Sequence, residues 1–284
     1  MKTGVQQIML GTVTGSEQTA LETLQKIKAA GYDGIELNSF QIHPTPFLVR
    51  MLTKLAGMPS GKGGKYDWHK LVKEAGLDVI SLHTDLGTLK RDAKAVAADA
   101  ASFGTEYVVI TGMYRFDYTS EEALRALCAD LNACGKTLLE EGVHLLYHNH
   151  NAEFLKVKDS DPELSVYDYI LDHTDPEYVN FELDTYWAAE AGADVVSLMN
   201  KVVSRLKLWH ITDRGSRVTG KVMTPIITSD SVELGTGSMP LERLMEQAKG
   251  LGVQAAVLET HRNWIDRSPM KSIQISAKWI NERV

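Results

Sequence analysis

Four apolar runs in the second half of the chain each end on a residue type that binds metal ions. Val143-His144-Leu145-Leu146 leads through Tyr147 into His148, and Phe181-Glu182-Leu183 into Asp184. Leu206-Lys207-Leu208-Trp209 runs into His210, and Ala255-Ala256-Val257-Leu258 into Glu259. A divalent cation asks for three or four converging His, Asp or Glu ligands, with positions left open for substrate or water. The four residues are separated by 36, 26 and 49 positions, each about one β/α unit. A single Asp or His at a strand end is commonly a cap or a local hydrogen-bond partner. Four on consecutive strand-like runs point to strands that bring them to one centre, so His148, Asp184, His210 and Glu259 are the expected metal ligands.

The neighbours extend the site. His148 and His150 share a face by period two, and Glu153 lies close enough in sequence to fold back toward the same centre, as the alternative to His148 for the first ligand. His150, Glu153 and Glu259 are the expected acid–base groups; for His150 a supporting imidazole that orients its neighbours is the alternative. Glu36 and His83 end the second and third runs and are expected at the same rim as substrate contacts, with a structural hydrogen bond equally open. Trp187, beside Tyr186, offers an apolar platform for a sugar ring or packing at a helix start. Asp213 and Arg214 follow His210 and are expected to contact substrate, or, for Asp213, to buttress a ligand. His43, His69, His144 and His173 are scattered and read as surface or core residues.

The elements that must position these residues recur as strand then helix. Strands are expected at 6–10, 34–37, 78–82, 107–110, 143–147, 179–183, 206–211 and 255–258. Several are the continuous apolar runs of strands covered by helices. Helices are expected at 19–30, stopped by Gly31, at 89–102, and at 120–141, opened by Ser120 and stopped by Gly142. The phrases Ala29-Ala30-Gly31-Tyr32-Asp33-Gly34-Ile35-Glu36 and Glu74-Ala75-Gly76-Leu77-Asp78-Val79-Ile80 share one pattern: helix end, glycine, strand start. Two segments interrupt the rhythm. Residues 43–67 read as a loop with a short helix at 47–55, and 214–239 as a long polar excursion covering substrate on the active face. The fold class expected is α/β, a (β/α)8 TIM barrel formed as a single domain over 1–284, whose active residues sit at the carboxyl ends of the strands.

Bulk composition narrows the partners. The chain has 284 residues, 44% hydrophobic and 24% charged, with a formal net charge of -7. That balance, with no basic stripe, argues against nucleic acid as a partner. No apolar run reaches the roughly 18 residues of a membrane span, and no signal peptide is read at the start, so no membrane partner and a cytoplasmic location are expected. Cys128 and Cys134 fall six apart on one helix and read as two buried thiols.

At these residues the chain resembles the xylose-isomerase-like barrels, a superfamily of sugar isomerases and epimerases that also contains endonuclease-IV-type enzymes. The resemblance runs over nearly the whole chain. It is carried by Gly31-Tyr32-Asp33-Gly34-Ile35-Glu36-Leu37, His83, residues 147–154, Glu182-Leu183-Asp184-Thr185-Tyr186-Trp187, His210-Ile211-Thr212-Asp213 and Glu259. In the ketose 3-epimerase branch the metal is held by Glu, Asp, His and Glu, and the two glutamates form the acid–base pair. Asp184, His210 and Glu259 match the last three, whereas His148 stands in place of the first glutamate. The Tyr-His-Asn-His-x-x-Glu-Phe form looks like the subgroup called sugar phosphate isomerase/epimerase, some of whose relatives act on 3-keto-sugars or their glycosides. The resemblance therefore implies a carbohydrate substrate and a divalent metal (Mn, Mg, Co or Zn). It implies an isomerase or epimerase that abstracts a proton next to a carbonyl, with a 3-keto-glycoside lyase or hydrolase on the same site as the alternative. A non-catalytic sugar-binding barrel and a phosphodiesterase acting on abasic DNA are the rivals from other classes. A homo-oligomer is in keeping with barrels of this kind, many of which dimerise.

Overall fold

Eight runs pair side by side in parallel until the last meets the first. The computed structural model describes residues 1–44, 51, 63–158, 160–218 and 220–284. Its strands are β1 (Lys2–Gln6), β2 (Gly34–Asn38), β3 (Asp78–Thr84), β4 (Tyr107–Ile110), β5 (His144–His148), β6 (Val179–Asp184), β7 (Leu206–Ile211), β8 (Asp213–Gly215), β9 (Asp230–Val232) and β10 (Ala255–Leu258). All but β8 and β9 form a closed barrel in the order β1-β10-β7-β6-β5-β4-β3-β2, a (β/α)8 architecture with helices outside.

Alternation along each strand sorts the side chains. Ile80, Val109, Leu146, Leu208, Ala255 and Val257 form a small cluster inside the barrel, while Val108, Leu145, Phe181, Trp209 and Ala256 pack outward in the main core. The inner cluster plugs the barrel. Polar side chains projecting inward near the carboxyl ends of the strands therefore collect above an apolar floor. Gly4 belongs to that floor: a Cβ there would lie 2.2 Å from Ile80 Cδ1, so β1 leaves its inner face bare for Ile80.

That requirement explains the one displaced strand. The apolar run 6–10 is a 3-10 turn, Gln7–Leu10, which follows the strand and buries Met9 and Leu10. The strand itself is Lys2-Thr3-Gly4-Val5-Gln6, whose small and polar residues hide its role. The helix expected at 89–102 is two helices, Leu86–Arg91 and Ala93–Ser102, broken at Asp92. Asp92 leaves helical geometry and its carboxylate accepts the Ala95 N–H at 2.9 Å, capping the second helix. Helices at Glu17–Ala29 and Glu121–Glu140 lie close to their expected positions. Cys128 and Cys134 are free and buried in the latter. The helix expected at 47–55 lies, apart from Met51, outside the described residues.

Two β-bulges bear on the site. Between β2 and β3 the register skips from Ile35↔Val79 to Glu36↔Ser81. Between β6 and β7 it skips from Phe181↔Leu206 to Glu182↔Leu208. Such insertions re-aim side chains; the first turns Ser81 toward Glu36. In the long excursion, β8 and β9 form an antiparallel pair. Among the described residues no helix is long and apolar enough to cross a membrane.

Candidate metal centre

His148, Asp184, His210 and Glu259, from β5, β6, β7 and the end of β10, each offer one ligand atom within 4.8 Å of the others, and all four are buried. His210 Nδ1 lies 2.9 Å from Glu259 Oε2 and 3.8 Å from Asp184 Oδ2. Asp184 ends its strand and opens the helix Thr185–Glu190, so its Oδ1 accepts the Trp187 N–H at 2.8 Å. Its backbone is gripped by Asn149, whose Oδ1 accepts the Asp184 N–H while its amide donates to the Asp184 carbonyl, both at 3.0 Å. With one oxygen used as a cap and the backbone fixed, Oδ2 is left buried, with no hydrogen-bond partner among the described residues. Burial, reinforced by the charge of Glu259 against the pull of His210, pushes this carboxyl up to about 8.

Glu36 and His83 lie beneath this group rather than at the rim. Glu36 Oε1 is 2.7 Å from both His83 Nε2 and His210 Nε2. Glu182 Oε2 is 3.1 Å from His83 Nε2 and 3.2 Å from His210 Nε2. It is also 3.2 Å from His148 Nδ1. Ser81 donates to Glu36 Oε2 at 2.5 Å. Burial opposes charging either imidazole, yet the carboxylates prevail: Glu36 and Glu182 raise His83 to about 10, and Glu182, Glu36 and Glu259 hold His210 well above its usual value. Against the same burial, Glu182 is held well below the usual carboxylate range by His210, His148 and His83. Glu259 is likewise lowered, by His261 and His210. Glu182 escaped the sequence reading although a signal existed: it precedes Asp184 by two on one strand and so shares its face.

Above the ligands stands an aromatic wall. The His150 ring is 5.0 Å from that of His148 and 5.8 Å from Trp187. Trp187 in turn lies 4.9 Å from His261 and 5.1 Å from Tyr186. Burial and the neighbouring His148 keep His150 neutral, pushed down to about 3. Trp187 Nε1 and His261 Nε2 are buried without hydrogen-bond partners among the described residues, the latter 3.6 Å from Glu259 Oε2. His261 was also missed in sequence, two positions past Glu259 and beyond the apolar run.

Three expected site residues point elsewhere. Glu153 accepts from Tyr147 Oη at 2.8 Å and from the His150 N–H at 2.9 Å, so it braces the loop after β5. Asp213 accepts four backbone N–H groups, those of Arg214 and Met239 on Oδ1 and of Gly235 and Gly237 on Oδ2, and has no lone pair directed at the centre. The Arg214 guanidinium is paired with Glu190.

The donor set suits a divalent cation. Two imidazoles and two carboxylates converge in a buried space, and Asp184 Oδ2 lacks a hydrogen-bond partner there among the described residues. A cation is the group that would satisfy a carboxyl otherwise driven to about 8.

The model of the xylose isomerase-like TIM barrel family matches residues 24–283. The chain belongs to that family. It is 24% identical over 208 residues to an inosose dehydratase of Bacillus velezensis, covering 70% of this chain and 64% of that one. It spans only 40% of an inosose dehydratase of Mesomycoplasma hyopneumoniae, at 29% identity over 125 residues. A solved sugar phosphate isomerase/epimerase of Parabacteroides distasonis superposes with a TM-score of 0.76 at 22% identity, over 98% of this chain and 93% of that one. The solved IOLI protein with a bound zinc atom superposes with a TM-score of 0.66 at 16% identity, over 100% and 98%. At these identities the solved structures speak for the fold.

Proposed function

We propose that this protein is a divalent-metal-dependent enzyme that removes the proton next to the carbonyl of a keto-carbohydrate and then expels a β-substituent, as a lyase. The observation that carries the reading is the convergence of His148, Asp184, His210 and Glu259 beneath a neutral His150. Those four residues would hold the cation; their mixed nitrogen and oxygen donors suit zinc, cobalt or manganese better than magnesium. When bound, the cation supplies the positive charge that polarises the keto and neighbouring hydroxyl oxygens.

The chain's own groups do the rest. His150, neutral and half-buried over the ligands, accepts the α-proton. Trp187 offers its face to the apolar side of the ring and its free N–H to a hydroxyl. The proton taken by His150 can then pass to the departing hydroxyl, while His261, kept neutral by burial beside Glu259, lines the same space. The inosose dehydratase relatives support elimination. Epimerisation is the second reading, supported by the two imidazoles, His150 and His261, that flank Trp187 and could serve two faces of one carbon.

Metal-loaded protein incubated in D2O with inosose, 3-keto-glycosides and ketoses tests this directly. Deuterium at the carbon next to the carbonyl, followed by an enone absorbance, is the expected result. Exchange with inversion and no enone would select the epimerase. No exchange on any of them, with metal bound, would leave the barrel as a binding protein.

A further inference from the structure

His210 is the residue at which the two tiers meet. Its Nδ1 faces Glu259 and Asp184 above, and below its Nε2 faces Glu36 at 2.7 Å and, at the longer distance of 3.2 Å, Glu182. A ring serving as a ligand through Nδ1 must carry its proton on Nε2, and that proton needs a buried acceptor. Glu36 supplies one, and Glu36 is itself held: Ser81, turned inward by the bulge of β3, donates to Oε2, and His83 approaches Oε1 at 2.7 Å.

We propose that Glu36 is a positioning residue for the metal, taking the Nε2–H of His210 so that the ring is locked in the tautomer and orientation whose Nδ1 faces the ion, with Ser81 and His83 fixing Glu36 in turn. The proposal rests on the metal reading above. The alternative use of Glu36, His83, Glu182 and His210, as a second ion site, would make His210 a doubly deprotonated bridge.

Metal-stripped wild type, Glu36→Gln and Glu36→Leu are titrated with Co2+ against a chelator. The zinc-loaded proteins are compared by 15N NMR of the histidine rings, with circular dichroism as the check on folding. Glu36→Leu is expected to weaken Co2+ binding by about 10- to 100-fold and to lose the single Nε2–H signal of His210. Glu36→Gln, which keeps an acceptor oxygen, should recover part of both. Val109→Ala, an equally buried change in the barrel floor, should leave Co2+ affinity unaltered, separating positioning from general loosening. Should Glu36→Leu be poorly folded, Glu36→Gln against Val109→Ala decides. Wild-type affinity and an unchanged His210 tautomer in both Glu36 variants would overturn the proposal. Two Co2+ per chain in wild type, with one lost in His83→Ala, would overturn it in favour of a second ion. No Co2+ bound by wild type, or binding that survives Asp184→Ala, would bring down the metal reading itself and this proposal with it.

Discussion

Asp184 illustrates how one residue couples local structure to chemistry. Its Oδ1 starts a helix and its Oδ2 is left buried with no hydrogen-bond partner among the described residues. Without a metal, burial pushes the carboxyl up to about 8 in the folded form, from 3.8 when exposed. Between those values the folded form holds a proton that the unfolded form has released, so this group makes stability fall as pH rises from about 4 to 8. Metal-free Asp184→Asn should lack this component, and the difference from wild type should grow with pH to a few kcal/mol, on that order. Urea melts at several pH values measure it; parallel curves would refute the assignment. His150 makes a separate prediction: His150→Asn should keep its metal yet lose about 100- to 10,000-fold in solvent-proton exchange, measured by deuterium incorporation beside metal analysis. The four candidate ligands are legible in the sequence because each terminates an apolar run. Glu182 is less plain, because an acid inside such a run reads as part of a strand and only its spacing of two from Asp184 marks the shared face. Glu153 and Asp213 looked functional by proximity in sequence, and only folding shows their oxygens already taken by Tyr147 and by backbone N–H groups.

Elements aim these residues, and Asp213 is where an element is held. Its carboxylate ties the start of β8 to Gly235, Gly237 and Met239 on the far side of the excursion. Asp213→Ala should cost about 1.5–3 kcal/mol, as expected when hydrogen bonds to a charged acceptor are lost. It should also raise amide exchange at 230–239 while that in β5 and β6 is unchanged. Exchange rising equally throughout would mean that the carboxylate supports the whole barrel instead. Glycine punctuation and apolar runs made seven of the eight barrel strands legible. The first was misplaced because Gly4 yields its space to Ile80, a demand made by a distant strand. The bulges and the β8–β9 pair were equally invisible, since both depend on which residue lies opposite. No single run contains that information.

At the scale of the molecule, the last four barrel strands carry the candidate ligands, while two of the first four, β2 and β3, carry Glu36, Ser81 and His83. A cation bound only by the folded form should add about 2.7 kcal/mol at a hundredfold excess over Kd, raising Tm in wild type and not in Asp184→Ala; scanning calorimetry reads both. The contact between Glu36 and His210 spans 174 positions and forms across a ring that closes only when β10 docks on β1. During synthesis the acid leaves the ribosome long before the imidazole it supports, and Glu259 comes later still. Partial chains therefore hold an incomplete set of candidate ligands, so on the proposed metal reading the ion would be a late arrival, its capture marking the moment of ring closure. Appearance of Co2+ absorbance during refolding would then lag behind recovery of helical circular dichroism and coincide with the slowest, long-range step of folding.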